Sequence, residues 1–250
     1  MSLFEISIVL FAGLAAGFIN TLAGGGSLIA MSALIFMGLP SAIANGTNRI
    51  AVLVQNIVAV TNFKRKGFFD LKLNLKLAIP AVIGAVFGSS VAITLPEELF
   101  NKILAGIMFL VLGVIILNPT KDTENKVEAL NLKQQIIAMI AFFFVGIYGG
   151  FIQAGVGFMF IVTLSLITDS SLVKINSIKV FVIAAYTISS LVVFITNGKI
   201  NWLLGIILAV GNSLGAYLGS NFAIAKGDRW IKVILIVLIL AMALRLLINF

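Results

Sequence analysis

An all-α polytopic membrane protein made of two inverted repeats, each of five helical segments, is the fold class this sequence predicts. Three observations carry that prediction. Of 250 residues, 61% are hydrophobic and 10% are charged, and the mean hydropathy is +1.18; a soluble domain of this size needs more polar residues to cover its surface. The apolar residues run in continuous stretches, which excludes a transmembrane β-barrel with its alternating strands. The second half of the sequence also repeats the first at one constant, ungapped offset.

Apolar stretches lie near residues 3–22, 27–39, 42–63, 73–95, 99–118, 133–153, 157–168, 172–196, 202–224 and 230–249. Spanning takes about 20 residues. The stretches at 27–39 and 157–168 are short; at ~1.5 Å per residue they cross with help from neighbours or re-enter. The total is therefore 8–10 membrane segments, with the second of each repeat short or re-entrant. The hydrophilic run PTKDTENKVEALNLKQQ begins at residue 119. It divides the chain into a first transmembrane repeat (1–118), a linker (119–132) and a second repeat (133–250). The start, MSLFE, has no basic region ahead of its apolar run, so the first helix is expected to be retained.

The repeat is specific. AGGG at 23–26 returns as AGVG at 154–157, and GAVFGSSVAI at 84–93 returns as GAYLGSNFAI at 215–224 with six of ten residues identical. On the same offset Asn45 falls on Asn176, Phe63 on Phe194 and Gly67 on Gly198. Loop charge then sets the relation of the halves. Residues 64–76 carry Lys64, Arg65, Lys66, Lys72 and Lys76 against Asp70, whereas the matching loop 195–207 carries only Lys199. Residues 95–102 carry Glu97 and Glu98 against Lys102, whereas 226–233 carry Lys226, Arg229 and Lys232 against Asp228. Equivalent loops of opposite bias lie on opposite sides under the positive-inside rule, so the repeats are inverted and loop 64–76 is cytoplasmic. The same rule accounts for the net charge of +8 without nucleic acid.

Inverted repeats place a substrate site near the midplane, where helices break. Gly24, Gly25 and Gly26 separate a long apolar segment from a short one, as do Gly155 and Gly157. Glycine permits a sharp turn, and a helix starting after it presents free N–H groups and a positive dipole end, which suits an anion. Close helix packing through small residues is the alternative, and for Gly84, Gly88, Gly215 and Gly219 it is the expected role. Asn45, Thr47, Asn48 and Arg49 open the third segment, with Asn176 and Lys179 in the matching stretch. Lys179 falls on Asn48 and is expected at the cavity. Arg49 falls on Val180, which leaves it open to snorkel outward or to pair with a carbonyl. Gln153, Asn20, Gln55 and Asn56 are path-lining candidates, with interhelical hydrogen bonding as the alternative.

The sequence holds no Cys and no His, and all nine acids lie in loops or near helix ends. Thiol, imidazole and carboxylate chemistry therefore has no carrier in the spans; neither metal, cofactor nor catalysis is expected. A positive cavity without its own counter-ion predicts an anion.

The pattern AAGFINTLAGGGSLI…GLPSAIANGTNR, with GIYGGFIQAGVGF, NSIKVFVIAAYTISSLVVF and INWLLGIILAVGNSLGAYLGSNFAIAKGDRWIK, resembles the sulfite exporter TauE/SafE family over essentially the whole chain. The resemblance implies a permease of small inorganic or organic sulfur anions, such as sulfite or sulfonates, in the plasma (cell inner) membrane. Val156 stands where a third glycine is expected in the second turn. The expected mode is alternating access, with the bilayer as partner and a homodimer as an option. An anion channel and a non-transporting membrane partner protein are the alternatives.

Overall fold

The computed structural model describes residues 2–96, 98–99, 102–103, 131–168 and 170–248, with backbone alone for residues 236 and 238–248. Eight helical runs lie within them: α1 (Leu3–Leu22), α2 (Gly26–Phe36), α3 (Ser41–Arg65), α4 (Leu71–Thr94), α5 (Leu132–Phe151), α6 (Val156–Ile167), α7 (Leu172–Thr196) and α8 (Trp202–Ile248). No strand occurs among the described residues. The run α8 breaks at Gly227 (φ 69°, ψ −168°) into two arms. Linker residues 119–130, most of the predicted segment at 99–118 and the side chain of Arg245 fall outside the described residues.

Five helical stretches are long and apolar enough to cross a membrane: Leu3–Leu22, Leu71–Thr94, Leu132–Phe151, Leu172–Thr196 and Trp202–Leu235. The chain is a multi-pass membrane protein. α3 is as long as α7 but carries the polar residues of the candidate site. Helix starts reuse one device. Ser2 and Glu5 form a capping box on α1, and Asn131 and Gln134 form one on α5; each pair satisfies N–H groups that the first turn leaves unpaired. Asp228 performs the same task from a distance, accepting from Leu172 N (2.9 Å) and Val173 N (3.1 Å) at the head of α7.

Helix directions follow from which residues meet. Leu10, Leu14 and Phe18 of α1 lie against Gly211, Gly215 and Gly219 of α8 in turn, so α1 and the first arm of α8 are parallel. α3 runs with them. Its Thr47 Oγ1 accepts from Asn201 N (2.9 Å), its Gln55 Oε1 from Asn212 Nδ2 (3.0 Å), and its Asn62 Nδ2 donates to Ser220 Oγ (2.7 Å). In α4, Gly84 and Gly88 lie against Phe143 and Ile147 of α5, so these two are parallel as well. α7 opposes α3, since Phe194 meets Gly46 and Ser190 meets Arg49 (2.7 Å). α5 runs with α7: Gln134 Nε2 donates to Ile167 O (2.9 Å) just ahead of α7, and Gly149 meets Tyr186 within it. Thus α1, α3 and the first arm of α8 point one way, and α4, α5 and α7 the other. α2 returns between the parallel helices α1 and α3, and α6 returns between α5 and α7.

These directions sort the charges. The end where α3 stops and α4, α5 and α7 start gathers Lys64, Arg65, Lys66, Lys72, Lys76, Lys133, Lys174, Lys226, Arg229 and Lys232 with Asp70 and Asp228. At the opposite end the described residues contribute Glu5, Glu98, Lys102 and Lys199.

Candidate functional site

The hairpins α1–α2 and α5–α6 meet tip to tip inside the protein. Gly24 (φ 89°) lies against the backbone of Gly157, and a Cβ on either would run into the other's Cα. Gly25 lies against the Phe158 ring, and the Ala16 carbonyl fills the space a Gly26 side chain would need. In the second turn the left-handed position is Gly155 (φ 73°). No third glycine is required there: Val156 is the first residue of α6 and is buried with 2% exposure. The starts of α2 and α6 therefore converge, bringing helix-start N–H groups and positive dipole ends to one place.

A small cavity of about 10 Å³, room for a single water-sized group, opens at this junction. Its walls are Asn20, Ser27, Val52, Gln55, Asn56, Gln153, Val156, Gly157 and Ile183. Gln153 and Gly157 are candidates from the sequence, and Asn20, Gln55 and Asn56 are there as well. Ser27 joins them unanticipated. Its one signal in the sequence is its position, the first side chain after the glycines. No lining side chain is ionisable, and Val52 and Ile183 in the walls are partners under the repeat offset that joins Asn45 to Asn176.

Behind the lining stand two fully buried cations. Arg49 does not snorkel: it is 0% exposed. Its Nη1 donates to Gly149 O (3.1 Å), Gln153 Oε1 (3.1 Å) and Ser190 Oγ (2.7 Å), and its Nη2 to Gly150 O (2.6 Å). The Phe194 ring lies 4.5 Å away, within cation–π range. Lys179, also 0% exposed, donates to Asn20 O (2.9 Å), Thr21 O (3.0 Å) and Asn176 Oδ1 (2.5 Å). All three ammonium hydrogens are thereby used. Its side chain lies beside the cavity, one helical turn from Ile183, and reaches the lining only through the Asn20 carbonyl. Among the described residues no carboxylate pairs with either cation; the ion pair present is Lys102–Glu98.

The remaining candidates brace this arrangement. Asn45 Nδ2 donates to Phe151 O (2.8 Å), and its Oδ1 accepts from Gln153 N (3.2 Å). Asn176 Nδ2 donates to Leu22 O (3.0 Å). Thr47 binds the start of α8, away from the cavity. Asn48 is 0% exposed, and neither of its amide atoms has a hydrogen-bond partner. With Asn45, Val52 and Gln55 it forms one face of α3, because these positions follow helical spacing.

A family model described as sulfite exporter TauE/SafE matches residues 9–246. The chain belongs to this family. It is 28% identical to the probable membrane transporter protein ORF9 of a Sinorhizobium species, covering 97% of this chain and 92% of that one. It is likewise 28% identical to the probable membrane transporter protein YfcA of Escherichia coli (strain K12), over 98% and 93% of the two chains. A probable membrane transporter protein of Haemophilus influenzae is 26% identical over 93% and 91%. No solved structure matches the chain. Family and relatives alike make this a membrane transporter.

Proposed function

We propose that the protein carries small sulfur-containing anions, sulfite or organosulfonates, across the plasma membrane by alternating access, with the junction cavity as the substrate site. The observation that carries this reading is the pair of buried cations with no carboxylate partner among the described residues. Arg49 and Lys179 come from opposite halves, and each donates to a residue lining the cavity, Gln153 and Asn20. Their field is repaid by an anion rather than by the protein, and low-dielectric surroundings strengthen it. The converging helix starts add to the same sign. The family description, sulfite exporter, supports the substrate class. A sulfite ion is larger than the cavity, so binding requires the hairpins to part; this favours a carrier that moves over an open channel. An inside-negative potential drives anion export at ~2.3 kcal/mol per charge per 100 mV without a coupled ion.

The opposed helix directions support two inverted repeats, residues 1–118 and 133–250, joined by the linker 119–132. The ten basic and two acidic residues gathered at one end among the described residues support its placement in the cytoplasm. A cysteine replacing Lys66 should then be labelled from the cytoplasm alone, and one replacing Gly198 from outside alone; labelling of both from one side ends this reading. The substrate is tested on purified protein with sulfite, thiosulfate, sulfoacetate, sulfate and chloride. Sulfite or a sulfonate should raise the melting temperature and chloride should not. A melting temperature unmoved by every anion overturns the assignment.

A further inference from the structure

We infer that Gln55 sets the sign of the cavity by presenting its N–H₂ group to the bound anion, and that Asn20 and Asn212 are the positioning residues that hold it in that orientation. The inference rests on the anion-carrier reading above. It begins at a donor that cannot be reversed. The backbone N–H of Ser27 donates to Asn20 Oδ1 (3.2 Å), so the oxygen of Asn20 faces the turn and its nitrogen faces away. Asn20 Nδ2 then donates to Ser27 Oγ (3.0 Å) and to Gln55 Oε1 (3.4 Å). Asn212 Nδ2 donates to the same Gln55 oxygen (3.0 Å). The inbound Asn20 donor, itself fixed by the Ser27 N–H, disfavours the turned-over Gln55 amide, whose N–H₂ would then face the Asn20 N–H₂; Asn212 supplies a second inbound donor to the same oxygen. Gln55 is 2% exposed and lines the cavity, and its Nε2 donates to no described residue.

Gln153 is polarised in the same way from the other half. Arg49 has donors only and binds Gln153 Oε1 (3.1 Å). Gln153 Nε2 therefore donates to the Tyr186 hydroxyl (3.0 Å) with one hydrogen left over. Two glutamines that line one cavity thus each keep at least one amide hydrogen without a partner among the described residues, while their oxygens are held by residues behind them. Asn212 is not in the lining. It keeps its own Oδ1 buried and without a partner, a destabilising arrangement that serves the orientation of Gln55. Its role is invisible in the repeat pattern, since the repeat offset pairs it with Ala81.

The test uses the full-length protein in detergent, with sulfite and methanesulfonate as probes and thermal unfolding measured alongside. Gln55→Glu keeps the shape and still accepts from Asn20 and Asn212, but it turns an acceptor into the cavity. Affinity for both probes should fall by about 100-fold or more while the melting temperature is kept, because each inbound bond becomes charge-assisted. Gln55→Met, which removes the amide, should weaken binding about tenfold. Asn212→Leu should weaken binding severalfold in the wild type and not at all in the Gln55→Met background, where there is no amide left to orient. A merely structural asparagine would lower affinity in both backgrounds. Binding by Gln55→Glu within about threefold of the wild type overturns the inference. So does an equal Asn212→Leu effect in both backgrounds, which also decides the matter if Gln55→Glu does not fold. Failure of the wild type to bind either probe overturns the anion-carrier reading instead.

Discussion

Arg49 and Lys179 perform one task at two ends of the site with different residues. Arg49 holds the carbonyls of Gly149 and Gly150 at the end of α5; Lys179 holds those of Asn20 and Thr21 at the end of α1. Beside them Asn45 binds Phe151 O as Asn176 binds Leu22 O. The acceptors thus keep the same order and spacing in the two halves, Gly149, Gly150 and Phe151 in one, Asn20, Thr21 and Leu22 in the other. The cations themselves do not fall on each other. The offset that joins Asn45 to Asn176 puts Arg49 on Val180 and Lys179 on Asn48. The tied carbonyls do not fall on each other either, since the same offset puts Asn20, Thr21 and Leu22 on Phe151, Ile152 and Gln153; what the halves share is the device, the carbonyls of the last three residues of α1 and of α5 held by a buried cation and an asparagine. The braces also differ in kind. The planar fork of Arg49 grips two carbonyls, a glutamine and a hydroxyl, whereas the ammonium of Lys179 is a compact charge with three rotatable donors. The Lys179 side should release first when the hairpins part.

That contrast can be broken in stages. Arg49→Ala should cost the most, on the order of 4 kcal/mol of stability, because charge-assisted bonds worth ~1.5–3 kcal/mol each are lost together and add incompletely. Arg49→Lys should recover less than half, since an ammonium cannot span the same acceptors. Unfolding in detergent reads both, and a wild-type melting curve for Arg49→Ala would show that Arg49 is not a brace. Lys179→Ala should cost about 2–3 kcal/mol by the same reasoning. If it costs more than Arg49→Ala, the ranking of the two braces is reversed. Gly157→Ala should cost about 1–3 kcal/mol through overpacking against Gly24, measured the same way. Gly155→Ala, at a left-handed backbone position (φ 73°), should cost about 1–2 kcal/mol through that conformation. Equal tolerance of alanine at both positions would mean that the hairpin tips do not press together.

Much of this is legible in the sequence. The helix positions, the broken segments and the repeat offset follow from hydropathy and from residue identity, which depend on local chemistry. The lining glutamine Gln153 and the turn glycines are legible because broken helices need permissive backbone and polar walls. Alignment with Asn48 directs Lys179 toward the cavity. The structure instead commits all its donors to two carbonyls at the end of α1, those of Asn20 and Thr21, and to the Asn176 side chain. The register of Arg49 leaves snorkelling and carbonyl pairing both open, and the structure takes the second, at Gly149 O and Gly150 O. A long side chain can reach an acceptor from a neighbouring helical position, and sequence alignment does not see that reach. Asn212 and Ser27 escape sequence reasoning for a related reason: their roles exist only once α1, α3 and α8 pack side by side.

The central claim, that the junction of the two hairpins moves a sulfur anion, is tested most directly by flux. Purified protein in sealed vesicles loaded with radiolabelled sulfite should release it saturably. An inside-negative potential should speed the release, as ~2.3 kcal/mol per charge per 100 mV requires, and external methanesulfonate should compete for the site. Release no faster than from protein-free vesicles at every potential would contradict the account.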